Sequence, residues 1–395
     1  MQASTSVFEG IRILDIGHIV AGPFSASILA DFGAEVIKIE KPVAGDPLRW
    51  IYPQKGLGLW YKVGARNKQS ITLDLKSPEG RALFHKLVAQ SDVVIENFRP
   101  GVMERLGNSW EVLSAINPRL ILCRLSGYGQ TGPFRNRRAY GRVAEAFSGF
   151  VNINGDPSGP PTHPNMALGD TTAGNWAAMG IMMALYWRDA RGGTGQVIDL
   201  ALYEALYRQF EPQIVLVDQL AKVQGRGDRT GYAPYQDCLP TRDGHYYSYS
   251  AITLKSALAL LEAMGMAEDQ RFNSWDRCIE NRVAFKQAVS EWMLARTVDE
   301  VDAAFQAVDA PGAPVMSGAD LIKHPHVLAR DMVLTMQDKE LGPVRMQGVV
   351  PKLSASPGKV NHTGQTLGES NERIYKELLG LGDAELASLR EKAVI

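Results

Sequence analysis

The sequence predicts an α/β fold in two domains, a larger one on a doubly wound, Rossmann-like parallel sheet and a smaller α+β one. Two observations carry this. Short β-branched runs recur through the first 200 residues, separated by helical patterns and ending in polar residues, the arrangement expected of parallel strands with a site at their carboxyl ends. After about residue 225 the pattern changes to apolar-periodic helices with two short strand-like runs, placing boundaries near 224 and 325. With 395 residues, the chain is long enough for both domains.

Ile11 to Ile16 is an apolar run meeting the loop Gly17-His18-Ile19-Val20-Ala21-Gly22-Pro23. Phe24 to Phe32 continues at helical spacing, and Glu35 to Glu40 is a second strand, completing a right-handed βαβ unit. No GxGxxG follows the first strand, which disfavours a nicotinamide dinucleotide. Ile71 to Leu75 is the next strand. Ser77 then reads as an N-cap with Pro78 at the first helical position, opening a helix to about Gln90. Ser91 to Phe98 and Leu120 to Leu125 are strands that exit into Arg99-Pro100-Gly101 and Ser126-Gly127-Tyr128-Gly129. A turn at 192–196 feeds the strand Val197 to Leu202, and a long helix is expected from Tyr203 to about Gln224. In the smaller domain a Gly244 turn separates the strand-like runs, and helices are expected over 254–264, 282–295 and 298–308. The remaining 326–395 holds a strand-like 344–350 and a terminal amphipathic helix.

Composition narrows the function. Lysine and arginine total 42 against 43 acidic residues, so the net charge of -1 gives no reason to expect nucleic acid or an anionic membrane as partner. Cys123, Cys238 and Cys278 form no CxxC and are odd in number, arguing against a disulfide framework or a zinc site. His324-Pro325-His326 lacks neighbouring ligands at metal spacing, and no metal is expected. No basic, apolar leader opens the chain and no run of about 18 uncharged apolar residues occurs, so a cytoplasmic protein is expected.

Two stretches stand out chemically. In Gly169-Asp170-Thr171 an acidic residue interrupts a small, apolar neighbourhood just before a helical pattern running to about Asp189. Asp170 reads either as an N-cap bonding first-turn amides or as a carboxylate nucleophile for acyl transfer, its ionised form favoured by those amides; one residue can serve both roles. Arg135, Arg137 and Arg138 gather beside Tyr140 in an otherwise neutral protein, either as a solvated loop or as an anion-binding one, since arginine forks onto carboxylate and phosphate.

In order along the chain, the sequence also carries Leu14-Asp15 with Ala21-Gly22-Pro23, Asn67-Lys68-Gln69-Ser70 before Leu73-Asp74, and Glu96-Asn97-Phe98-Arg99-Pro100-Gly101. Ser126-Gly127-Tyr128-Gly129, Gly169-Asp170, Gly195-Gln196 with Leu202-Tyr203-Glu204, and Ala233-Pro234-Tyr235-Gln236 follow. Together these resemble the family III CoA-transferases, which include carnitine CoA-transferases and α-methylacyl-CoA racemases, nearly end to end. The resemblance implies Asp170 as the catalytic aspartate and CoA contacts at Lys41, Asn97, Arg105, Arg138 and Tyr140. It further implies coenzyme A and acyl-CoA as substrates with no tightly bound cofactor, residues 326–395 returning to the large domain, and two chains interlocked as a homodimer. The formyl-CoA transferases of the family have a glutamine where this chain has Val20, a glutamate where it has Gly141, and a glycine run it lacks. A larger acid is therefore expected, with Val20, Arg135, Arg137 and Gly169 on the substrate side and one arginine pairing the distal carboxylate of a dicarboxylic acid such as succinate. A racemase would need a histidine in the loop before Asp170. None occurs from Ser126 to Phe150, and His163, in a Pro-rich loop, is expected to face solvent. A non-catalytic CoA-binding protein would retain the basic contacts but have no use for Asp170.

Overall fold

Six strands of the larger unit form one parallel sheet: β1 (Arg12–Asp15), β2 (Glu35–Glu40), β3 (Lys68–Thr72), β4 (Val93–Glu96), β5 (Ile121–Ser126) and β6 (Gln196–Ala201). Their spatial order is 3-2-1-4-5-6, the order of doubly wound dinucleotide-binding sheets, with every neighbouring pair parallel. The computed structural model describes residues 6–226 and 236–395. It divides into one unit of residues up to 226 together with 331–395, and a second of 227–330.

The side-chain period of two explains why these strands read as unbroken apolar runs. Ile13, Val36, Val93 and Ile121 point to one face of the sheet, and their successors Leu14, Ile37, Val94 and Leu122 to the other. Helices cover both faces. On the first lie α1 (Ala21–Asp31) and the long α4 (Leu168–Ala190), whose alanine-rich inner face (Ala173, Ala177, Ala178, Ala184) lets the two helices pack closely. On the second lie α2 (Pro78–Val88), with Leu83, Phe84 and Leu87 buried, and the C-terminal residues Ile374, Tyr375 and Leu386. Ser77 caps α2 as its sequence requires, its hydroxyl accepting from the Gly80 amide at 2.9 Å.

Within this unit the C-terminal segment covers the open edge of β3. Asn371 Oδ1 accepts from the Thr72 amide at 2.9 Å while its Nδ2 donates to Thr72 Oγ1 at 2.8 Å. Gln365 Oε1 accepts from the Ser70 amide at 2.8 Å, and Tyr375 Oη donates to the Thr72 carbonyl at 2.7 Å. An edge strand that would otherwise present unpaired backbone groups is thereby satisfied by side chains.

Between β5 and β6 the crossover includes α3 (Gly141–Phe147) and then α4. After β6 the expected long helix is instead two, α5 (Leu202–Tyr207) and a helix at Glu211–Leu220, the second carrying Pro212 in its first turn. Proline has no amide to continue the preceding helix but fits the start of a new one, and Ala221 at a φ of +48° ends the second. In the smaller unit, strands Gln236–Pro240, Tyr246–Ser250 and Gly312–Pro314 form an antiparallel sheet. Helices Leu254–Ala263, Arg282–Leu294 and Val298–Ala307 pack Leu260, Phe285, Val289 and Phe305 into its core. Of the motif Ala233-Pro234-Tyr235-Gln236, the first three residues lie outside the described residues.

Candidate active site

A cleft of about 660 Å³ opens at the carboxyl ends of β1, β4 and β5. Chain order reverses between β1 and β4, so the strand exits there diverge and leave a crevice in which open α/β sheets bind ligands. Residues 18–21 after β1, 97–100 after β4 and 125–127 at the end of β5 line it, together with Lys41, Arg137, Arg138, Tyr140 and Asp170.

The loop after β1 is held in an uncommon shape. Asn97 clamps it from both sides: Oδ1 accepts from the His18 amide at 2.7 Å and Nδ2 donates to the His18 carbonyl at 2.8 Å. Ile19 has a φ of +65°, costly for a β-branched residue, and its amide donates to the Asp46 carboxylate at 3.2 Å. Beneath the loop lies a buried ionic cluster. Lys38 Nζ is 3.2 Å from Asp46 and 3.6 Å from Asp15, and Lys68 Nζ is 2.8 Å from Asp15. Lys38 also donates to the Gly17 carbonyl and Lys68 to that of Pro23, so the cations anchor the backbone on either side of residues 18–22. Burial pushes the Asp15 carboxyl up, but Lys38 and Lys68 bring it net below the usual carboxylate range. Burial, reinforced by Lys38, lowers the His18 imidazole and favours its neutral form.

Asp170 is the third residue of α4, whose N-cap is Ala167 with no side-chain cap bond. The capping reading is thus overturned. The helix starts three residues earlier than its sequence pattern suggests, because Leu168 and Gly169 are already helical, so Asp170 lies within the first turn rather than at the cap position ahead of it. Among the described residues nothing donates a hydrogen bond to it. It faces Gly141, where a β-carbon would stand 2.3 Å from Asp170 Oδ2; only a glycine leaves that space. Burial and the negative charge of Glu145 raise its pKa to about 6, with Arg142 pulling the other way. The expectation that helix amides favour the ionised form fails for the same reason: the carboxylate accepts no bond from them, and desolvation outweighs the helix end.

Val20, Lys41, Asn97, Arg137, Arg138 and Tyr140 therefore share one cleft with Asp170. Gly169 sits behind it, buried against Glu145, while Arg105 and Arg135 are exposed and outside the lining. Arg137 stacks on Phe134, its guanidinium 3.5 Å from the ring centroid. His163 is exposed, as its loop suggested, but its Nδ1 lies 2.9 Å from the buried Glu145 carboxylate, a contact the sequence did not show. Three polar cleft residues were named in no site expectation, His18, Arg99 and Ser126. All were detectable as polar residues at or just past a strand's carboxyl end, the one positional rule that picks out sites in this architecture.

The model of CoA-transferase family III matches residues 8–371. This chain belongs to that family. It is 40% identical over 397 residues to the succinyl-CoA–D-citramalate CoA-transferase of Chloroflexus aurantiacus, an alignment covering 98% of each chain. It is 38% identical to the alpha subunit of a succinyl-CoA–L-malate CoA-transferase of Chloroflexus aurantiacus, covering 98% of this chain and 92% of that one. Among solved structures, a CAIB/BAIF family protein from Brucella suis superposes with a TM-score of 0.84 at 30% identity, covering 95% of this chain and all of the other. The protein is thus a family III CoA-transferase, an enzyme moving coenzyme A between acyl-CoA and carboxylate substrates. Among its described residues no helix is long and apolar enough to cross a membrane.

Proposed function

We propose that the enzyme exchanges CoA between succinyl-CoA and a C4 to C6 dicarboxylic acid, with Asp170 as the covalent nucleophile. The observation that carries this is the Asp170 carboxylate itself, in the wall of the cleft, without a hydrogen-bond donor among the described residues and raised to about 6. Structural carboxylates are bonded; this one is kept available while still ionised at neutral pH.

An oxygen of Asp170 attacks the thioester carbonyl of the donor, and the carbon–sulfur bond breaks. A mixed anhydride forms and CoA thiolate departs. The thiolate then attacks the Asp170 carbonyl, expelling the donor acid as its carboxylate and leaving an aspartyl-CoA thioester. The acceptor carboxylate attacks that thioester, and the same two steps in reverse deliver the new acyl-CoA and free Asp170. A serine ester would lie too low in energy to return its acyl group to sulfur readily. In this reading Lys41, Arg138 and Tyr140 contact CoA, and Arg137 or Arg138 meets the distal carboxylate. The dicarboxylate assignment draws on the succinyl, citramalate and malate specificities named for the relatives and on Val20 at the cleft wall. A homodimer is part of the proposal. Met182, Met183, Tyr186 and Trp187 are exposed on α4, and the Glu211–Leu220 helix buries none of its residues while exposing Ile214, Val215, Val217 and Leu220.

Asp170→Ala is expected to abolish exchange with the fold intact, and hydroxylamine added during turnover of the wild type to modify Asp170 alone. Exchange by the variant at near wild-type rate would end the nucleophile assignment. Equal use of butyrate and succinate by the wild type would end the dicarboxylate one, and an active species of single-chain mass in light scattering the dimer.

A further inference from the structure

Glu145 is the one carboxylate packed behind Asp170, and its surroundings are unusually specific. It is fully buried on α3. Its Oε1 accepts from the Gly169 amide at 3.0 Å; its Oε2 lies 2.9 Å from His163 Nδ1 and 3.3 Å from Arg142 Nη1. Since α4 has no side-chain cap of its own, this first-turn amide is satisfied from the neighbouring helix instead. Arg142 also donates to the Pro164 carbonyl, clipping the Pro-rich loop onto α3. Contact between the helices is close: a β-carbon on Gly169 would approach the Gly141 carbonyl to 2.7 Å and Glu145 Cγ to 3.3 Å.

We infer that Glu145 is a positioning residue for CoA transfer: it fixes the Gly169 amide, and with it the direction in which the adjacent Asp170 carboxylate enters the cleft. Arg142, half exposed, balances its charge toward solvent, and His163 Nδ1 meets the same carboxylate oxygen. The inference rests on Asp170 being the nucleophile. The charged and titratable groups around that carboxylate are Glu145 and Arg142 from α3 and, across or along the cleft, His18, Lys41, Arg99, Arg137, Arg138 and Tyr140. Of these, Glu145 supplies the negative charge that holds back Asp170 ionisation.

The test is exchange of isotopically labelled succinate into succinyl-CoA from pH 5 to 8, for wild type, Glu145→Gln, Glu145→Ala and Asp170→Ala. Glutamine keeps a carbonyl acceptor for the Gly169 amide but no charge. Its kcat at pH 7.5 is expected to stay within about 3-fold of wild type, while the acid limb moves to lower pH. Alanine removes the acceptor, and kcat is expected to fall about 10-fold or more, the worth of a hydrogen bond to a charged group. Its KM for succinyl-CoA should hold within about 2-fold, because the cleft's basic residues are untouched. Packing alone would lower the melting temperature without moving the acid limb of the glutamine variant; coincidence of that limb with the wild type overturns the inference, as does an alanine variant that keeps its kcat. If the alanine variant does not fold, the glutamine limb decides. Activity retained by Asp170→Ala would instead remove the nucleophile reading itself, and the role of Glu145 with it.

Discussion

Replacing Asp170 by asparagine should inactivate the enzyme and stabilise it, with a pH dependence that the site dictates. The carboxyl is raised from 3.8 to about 6 in the folded chain. At about 1.4 kcal/mol per pH unit, ionising it in the fold costs up to about 3 kcal/mol more than in the unfolded chain. The sign follows from proton uptake. Between roughly pH 4 and 6 the folded chain keeps a proton that the unfolded chain has lost, so wild-type stability falls as pH rises through that window and the whole cost is felt above it. Asparagine has the same shape and does not titrate. Thermal melts followed by circular dichroism should therefore show Asp170→Asn close to wild type at pH 4 and several degrees higher at pH 7.5, at roughly 2 to 4 °C per kcal/mol. A melting difference equal at the two pH values would refute the reasoning, because it would mean that the carboxylate is not paying for desolvation in the fold.

Gly141→Ala should act on the same group from the other side: with 2.3 Å between the new β-carbon and Asp170 Oδ2, the carboxylate must turn away. Steady-state kinetics should show kcat reduced at least about 10-fold, a misplacement effect, with KM for acyl-CoA little changed. Arg124→Leu should be strongly destabilising while leaving the cleft lining intact. Arg124 Nε lies 2.8 Å from Glu96, which burial holds at about 7 despite that partner. Removing the partner should cost about 3 to 5 kcal/mol, more at pH 8 than at pH 6 because Glu96 is then ionised, as denaturant titrations at the two pH values would show.

The parallel sheet was legible because its strands are buried on both faces and so announce themselves as β-branched runs with polar exits. Glu35 to Glu40 was read to the residue. Local chemistry served equally well at Ser77 and Pro78, where a cap and a proline fix a helix start without tertiary help. Where tertiary packing decides, the sequence misled. Leu168 and Gly169 carry no capping signal, yet they are helical because Glu145, 24 residues earlier, supplies the partner for the Gly169 amide. The same Glu145 also meets His163, which stays exposed as its loop suggested. Arg137, Arg138 and Tyr140 stood out as an arginine-rich loop and Val20, Lys41 and Asn97 were named by resemblance; one cleft gathers all six with Asp170. Periodicity could not have done so, because they come from loops after four different strands.

The energetic cost of ionising Asp170 bears on why a carboxylate suits this chemistry. An ordinary aspartate near 4 is a weak nucleophile toward a thioester and too good a leaving group once acylated, so its anhydride would collapse toward hydrolysis. Under the proposed mechanism, raising the group to about 6 makes it more basic, hence more nucleophilic and slower to leave, and at pH 7 it is still roughly nine-tenths ionised. Three features set that compromise. Burial raises the pKa, Glu145 raises it further, and Arg142 limits the rise. The glycine at 141 then lets the desolvated carboxylate sit at the cleft wall, since any side chain there would claim its space. Under the proposed mechanism the same burial and the same Glu145 charge that cost stability at Asp170 also raise its basicity, so asparagine at this position should be both the more stable protein and the dead enzyme.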